Sequence, residues 1–214
     1  LMSVANGSLA GVSIDGLTAD LSLKDDNIKL QQLLATRDVY SISAAGDIPL
    51  DVFRSKDQRR NPKSQMNIVL DLDNARLGIL PAVTKMVEWG VGETKGKIRV
   101  AGTLDEPLLY GSVQIVDGSV KMKYLNTVFD AINLDVMFNG NTINLKNLSA
   151  KLGKGMVKAE GSYALNTSID TGYSLHIVAD KAQVASQIFT GTLNSDMTIV
   201  PQKYPDFKNK KLSG

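Results

Sequence analysis

Cysteine is absent from these 214 residues, histidine occurs once and aromatic residues make up only 6%. Each shortage removes a class of function. Without cysteine there is no disulfide framework, no thiolate nucleophile and no Cys-ligated metal. Zinc needs His and Cys clusters at short spacing, and one imidazole cannot supply them. Acyl-transfer chemistry needs a nucleophile, a base and an orienting group, so a His-dependent triad would have to converge on His176. That residue stands at a polar position of the alternating stretch Ser174-Leu175-His176-Ile177-Val178, where a lone imidazole reads as a surface group. The apolar runs are too short for a membrane-spanning helix. Basic and acidic residues nearly balance, 24 against 22 for a net charge of +2, which argues against a nucleic-acid surface.

Other constellations fall short as well. Lys95-Gly96-Lys97 and Gly153-Lys154-Gly155 lack the spacing and the Ser or Thr of a phosphate-cradling loop. Asp105 and Glu106, before Pro107, read as a turn. Asp20 and Asp135 recur with a repeat and therefore do not converge on one substrate, whereas acid/base pairs work about 5–10 Å apart. We expect neither an enzyme nor a cofactor.

What the chain does have is internal repetition. Residues 17–50 lie over residues 132–165 without a gap at an offset of 115. Asp20/Asp135, Ile28/Ile143, Leu30/Leu145, Leu33/Leu148, Ala35/Ala150, Ala44/Ala159, Gly46/Gly161 and Leu50/Leu165 are identical. With a four-residue adjustment, Asn6-Gly7-Ser8-Leu9 matches Asp117-Gly118-Ser119-Val120, and Leu212-Ser213-Gly214 resembles Leu109-Tyr110-Gly111. Fixed-period similarity marks stacked units that cannot bury their apolar faces alone. The chain reads as a segment of a longer array: a first repeat over 1–50, a basic loop over 51–64, a second repeat over 65–165, and the start of a third over 166–214.

Period-2 alternation dominates. Leu17, Ala19, Leu21 and Leu23 alternate with Thr18, Asp20 and Ser22, and Ile132, Leu134, Val136 and Phe138 alternate with Asn133, Asp135 and Met137. Side chains point to opposite faces along a strand, so these are strands with one apolar and one wet face. Further strands are expected over 27–34, 39–49, 65–72, 96–104, 109–116, 119–123, 142–148, 155–165, 173–180 and 193–200. Asp117-Gly118 and Asn139-Gly140-Asn141 read as tight hairpin turns.

One interruption is expected. Ile79, Leu80, Val83, Met86 and Val87 have the spacing of one helical face, with Asp73 or Asn74 as cap, which predicts a short amphipathic helix over 75–89. Val184, Ile188 and Phe189 suggest a shorter remnant of it over 181–191. The run from Arg54 to Lys63 carries five basic residues and one acid. It reads as a solvated loop, with contact to anionic lipid headgroups as the sharper alternative.

The apolar strand face is the remaining candidate site. Its members are Leu17, Leu21, Leu23, Ile28, Leu30, Ile42, Ile98, Val100, Val113, Ile115, Ile132, Leu134, Val136, Phe138, Ile143, Leu145, Val157 and Leu165. Leaving such side chains wet costs roughly 1.5–3 kcal/mol each, so something covers them. The sheet either closes on itself as a sandwich or barrel, or curls into an open trough that mobile acyl chains complete. Aliphatic walls suit a fluid ligand that needs no fixed hydrogen bonds.

One passage also carries a resemblance. Gly96-Lys97-Ile98-Arg99-Val100-Ala101-Gly102-Thr103-Leu104, then Pro107-Leu108-Leu109-Tyr110-Gly111-Ser112-Val113 and the Asp117-Gly118-Ser119 turn, follow one another in a set order. Ile132 through Leu145, Leu148 and Ala150 to Gly161 follow, and Gly46-Asp47-Ile48-Pro49-Leu50 closes the earlier unit. This order resembles the TamB/AsmA-like proteins of diderm bacteria. The resemblance implies an all-β fold, an antiparallel meander curled into an elongated U-shaped trough with a hydrophobic interior. It implies a periplasmic segment of a parent anchored in the inner membrane, carrying phospholipid acyl chains toward the outer membrane. It also implies an outer-membrane β-barrel partner of the TamA or BamA type, met through a region outside this segment. A scaffold role in the same translocation and assembly module, holding nascent outer-membrane β-strands, is the alternative.

Overall fold

The computed structural model describes residues 1–9, 12–37, 40–54, 63–72, 75–77, 84, 86–165, 172–186 and 188–201. Strands take up almost all of them: β1 (Met2–Leu9), β2 (Val12–Lys24), β3 (Asn27–Arg37), β4 (Tyr40–Pro49), β5 (Met66–Asp71), β6 (Ala75–Arg76), β7 (Val87–Gly102), β8 (Pro107–Met122), β9 (Val128–Gly140), β10 (Thr142–Leu152), β11 (Gly155–Ala164), β12 (Tyr173–Ala185) and β13 (Thr190–Ile199). A short 3-10 turn, Leu50–Phe53, follows β4. Each strand pairs antiparallel with its neighbour in sequence, except that β5 passes to β7 while the short β6 lies beside β7. The result is one meander. Among the described residues β1 and β13 are its two edges and do not meet, so the sheet stays open.

The repeat holds at the level of the backbone. β10 and β11 begin and end at an offset of 115 from β3 and β4. Leu21 faces Leu30 and Asp20 faces Gln32 across a bulge, and Val136 faces Leu145 and Asp135 faces Asn147 across its equivalent. The next ladder slips between Leu30 and Leu33 in one unit and between Leu145 and Leu148 in the other. The correspondence continues outward. Ala44 opposes Leu70 and Leu70 opposes Ile98, as Ala159 opposes Ile177 and Ile177 opposes Met197. β5 and β7 therefore recur as β12 and β13. β1 recurs as β8, with Asn6 at φ 52° and Asp117 at φ 51°, each followed by glycine.

Bulges in mid-strand bend the strands and raise their twist, and that curls the sheet. Cα atoms of β10 and β12 come within 8 Å of each other across β11, closer than the roughly 9.5 Å that two strand spacings give a flat sheet. The loop after β8 crosses to the end of β12. There the Asn126 amide donates to the Ala185 carbonyl at 2.6 Å. The Ala185 amide donates to Thr127 Oγ1 at 2.9 Å.

Three local expectations are corrected. Asp117-Gly118 is not a hairpin turn but a bulge inside the single strand β8. Positive φ serves a bulge as well as a turn, so the dipeptide alone could not separate the two. Asn139-Gly140-Asn141, by contrast, is a hairpin turn, with Asn139 paired to Thr142 and Gly140 at φ 65°. The helix expected over 75–89 is strand at both ends, Ala75–Arg76 in β6 and Val87 onward in β7; residues 78–83 and 85 lie outside the described residues. Val87, Trp89 and Val91 alternate with polar or small residues, and pairing with β8 decided the competition between periods. The remnant expected over 181–191 is the end of β12 and the start of β13. Of the basic run, Arg54 and Lys63 are described, and the Arg54 guanidinium lies 2.7 Å from Asp51 Oδ1 and 3.6 Å from Asp26 Oδ1. It ties the 3-10 turn to the β2–β3 turn. Residues 55–62 lie outside the described residues.

Candidate functional site: the inner face of the sheet

Cross-strand partners share a face, so the register can be followed from strand to strand. Leu17, Leu21 and Leu23 face Ala35, Leu30 and Ile28, which face Ile42, Gly46 and Ile48. Gly46 meets Ile68, Ile68 meets Val100 and Leu70 meets Ile98. Val100 meets Leu109 and Ile98 meets Gly111. Val113 and Ile115 face Val136 and Leu134, and Phe138, Val136 and Leu134 face Ile143, Leu145 and Leu148. Ala150 faces Val157, and Val157 faces Ala179. Ile132 joins the same side, in a cluster with Ile115, Ala150 and Leu77. Every residue expected on the apolar face is thus brought to one side of one sheet except Leu165. Leu165 lies in the turn after β11, its amide donating to the Asn141 carbonyl at 2.7 Å.

The opposite face is mainly polar, although Val69, Val116, Met137 and Val178 lie on it. Arg99 Nε donates to Asn67 Oδ1 at 2.8 Å, and Lys97 lies 3.3 Å from Asp71. On the same side His176 Nε2 lies 2.8 Å from Asp196 Oδ1 and Nδ1 lies 3.8 Å from Glu160 Oε1. The hydrogen bond to Asp196, reinforced by the charges of Asp196 and Glu160, raises the imidazole pKa above 6.5. This cluster joins three neighbouring strands. Among the described residues no group of three or more His, Asp or Glu side chains is arranged to hold a metal ion.

Sequence reading missed several members of the inner face. Ile68 and Leu70 lie in the strand expected over 65–72 but were not placed on the apolar face, which needed the register with β4 and β7. Leu77 was assigned to a helix. It is instead 4% exposed, and Cβ atoms at Gly90, Gly92 or Gly118 would crowd it. Those glycines open the hollow that Leu77 fills. Gly46 and Gly161 have a related role in the bend. A Cβ on Gly46 would run into the Asn67 carbonyl oxygen, and one on Gly161 into the Ser174 carbonyl oxygen. Asn67 and Ser174 are equivalent residues of the repeat, which explains why glycine recurs there.

Burial along the face is partial. No large side chain among the described residues is below 2% exposed. Most inner residues are half-buried; Leu21 is 46% and Leu23 64% exposed. A sandwich core would bury them under a second layer, and none of the described strands supplies one. Among the described residues the face is an aliphatic wall without a covering layer. Chemically it can solvate alkyl chains, and with so few polar groups it offers no fixed hydrogen bonds. Comparison with known proteins finds no match: no family model matches the chain, and no curated protein and no solved structure matches it.

Proposed function

We propose that this chain is a segment of a hydrophobic conduit that carries phospholipids by their acyl chains, in the periplasm between the inner and outer membranes. The observation that carries this reading is the continuous, one-sided apolar face that runs across the open sheet with only partial cover. Covering a half-exposed leucine with an acyl chain returns about 1 kcal/mol. Spread over many similar positions, this gives a path on which a lipid binds weakly at each point and can move. The resemblance to TamB/AsmA-like proteins supplies the compartment, the inner-membrane anchorage of the parent and the link to an outer-membrane β-barrel partner. In this reading the chain is not an enzyme and needs no cofactor, and Asp135 and His176, on the polar face, take no part in transport.

A second reading is favoured by one observation. Among the described residues the edge strands, β1 and β13, contain no Lys, Arg or Pro, the residues that usually blunt an exposed edge. Such edges suit a scaffold that holds nascent outer-membrane β-strands.

Transfer of a fluorescent phospholipid between vesicles by the purified chain separates the readings. Leu21→Arg with Leu23→Arg should abolish transfer, whereas Asp20→Asn and Asp135→Asn should leave it intact. Equal loss from all of them, or no transfer by the unmodified chain, would count against the conduit.

A further inference from the structure

The two units of the repeat differ by one insertion. The offset between them is 111 at Leu9 and Val120 and 115 at Leu17 and Ile132, so four extra residues lie between Val120 and Ile132. β1 and β2 are joined by two residues, with Leu9 paired to Val12. β8 and β9 are joined by five, 123–127, more than the tightest hairpins need. The longer connection reaches β12, three strands beyond β9. Leu125 forms a bridge with Ser186, the Asn126 amide donates to the Ala185 carbonyl, and the Ala185 amide donates to Thr127 Oγ1. Residues 123–127 are thus a strap from β8 to β12. Among the described residues nothing comparable crosses the first unit.

The strap lies where the inner face is shut. Phe129, on β9 just after the strap, packs against Leu152, Ala179 and Ala182, which are 0–5% exposed. The inner sides of β9 and β12 therefore touch here, and no alkyl chain fits between them while they do. Both strands are bent beside this contact. Ala131 in β9 and Lys181 in β12 sit at φ 49°, each within a bulge. That left-handed region strains any residue with a side chain. The first unit has Gly16 at the place of Ala131, in a ladder with no register shift. The closed end is held against that strain by few bonds. Lys123, Tyr124 and Asn126 are exposed, and Leu125 and Thr127 are half-buried. A short exposed connection with few hydrogen bonds opens at lower free energy than a strand ladder.

We propose that the strap is a gate. Fastened to β12, it closes the inner face of the second unit; released, it admits an acyl chain to Val157 and Leu152 while the rest of the sheet stays folded. The passage of lipid rests on the conduit reading, whereas the opening of the strap does not.

Hydrogen exchange reads that opening without lipid. The Asn126 and Ala185 amides should exchange about a hundredfold faster than the ladder amides of β9 and β10, through a local opening that low denaturant does not alter. Thr127→Val removes the acceptor of the Ala185 amide and should raise the Asn126 rate about fivefold with the circular dichroism unchanged. Because the chain has no cysteine, Leu125→Cys with Ser186→Cys makes a reversible lock across the bridge. Oxidised, that variant should transfer a fluorescent phospholipid between vesicles about tenfold more slowly than after reduction. Strap amides that exchange only with global unfolding, or equal transfer by the oxidised and reduced lock, would overturn the gate. Lack of transfer by the unmodified chain would count instead against the conduit, and exchange alone would then decide whether the strap opens.

Discussion

The two halves of the sheet, β1 to β7 and β8 to β13, share their register almost residue for residue and differ in what covers them. In the first half Leu21 and Leu23 stand 46% and 64% exposed on the inner face. Their counterparts in the second, Val136 and Phe138, are half-buried. The second half also holds the buried apolar clusters. Leu77 sits over Ile115, Ile132 and Ala150, and Leu152, Ala179 and Ala182 cluster with Phe129, Val157 and Val184. The loop after β8 is fastened to β12 at that end. One repeat thus serves two ends. Where Leu77 or the loop after β8 reaches the inner face, the aliphatic residues become core; where no described residue covers it, the same residues stay half-exposed.

Breaking the packed end gives the largest expected effect. Leu77→Asp places a carboxylate in a hollow lined by Ile115 and glycines and should cost about 3–5 kcal/mol in denaturant unfolding. Leu23→Asp, on the same face of the other half, should cost about 0.5 kcal/mol or less. Similar losses at the two sites would erase the distinction. Next come the bends. Gly46→Ala and Gly161→Ala each push a methyl into a neighbouring backbone and should each cost about 1–3 kcal/mol, with Gly46→Ala the costlier because Gly46 also sits at φ 143°, where a side chain is strained.

Lipid binding sharpens the contrast from the other side. Arginine at both Leu21 and Leu23 removes two half-exposed leucines worth about 1 kcal/mol each, so phospholipid affinity should fall tenfold or more with little change in stability. The smallest effect concerns the outer face. The pKa of His176 is raised in the folded state by its hydrogen bond to Asp196. Its contribution to stability is therefore complete below the unfolded value near 6.5 and is lost as pH rises through the folded value. Melting curves between pH 6 and pH 8 should show a slight decline that His176→Ala flattens, and lipid transfer should not change with that substitution.

Much of this was legible in the sequence because the signal was periodic twice over. Alternation identified the strands and the inner residues Leu17 to Leu30 and Ile132 to Leu145. The 115-residue offset tied the two sets together before any register was known. Three features escaped for identifiable reasons. Asp117-Gly118 has the composition of a turn, but positive φ is equally the need of a bulge. Val87 to Val91 satisfy both a helical and a strand period, and the choice fell to pairing with β8, a partner distant in sequence. Leu77 is a single residue whose role depends on Gly90, Gly92 and Gly118 coming together, which no local pattern records. What covers the apolar face lay equally beyond reach, since alternation marks a face as apolar without saying what lies over it.

The most direct test places photoreactive residues on opposite faces of one strand, at Leu21 and at Ser22, in the chain purified from a diderm host, followed by native mass spectrometry. The account predicts phospholipid crosslinked at position 21 and not at 22. A cooperatively folded protein with no lipid at either position, or with lipid equally at both, would contradict an inner face built to carry acyl chains.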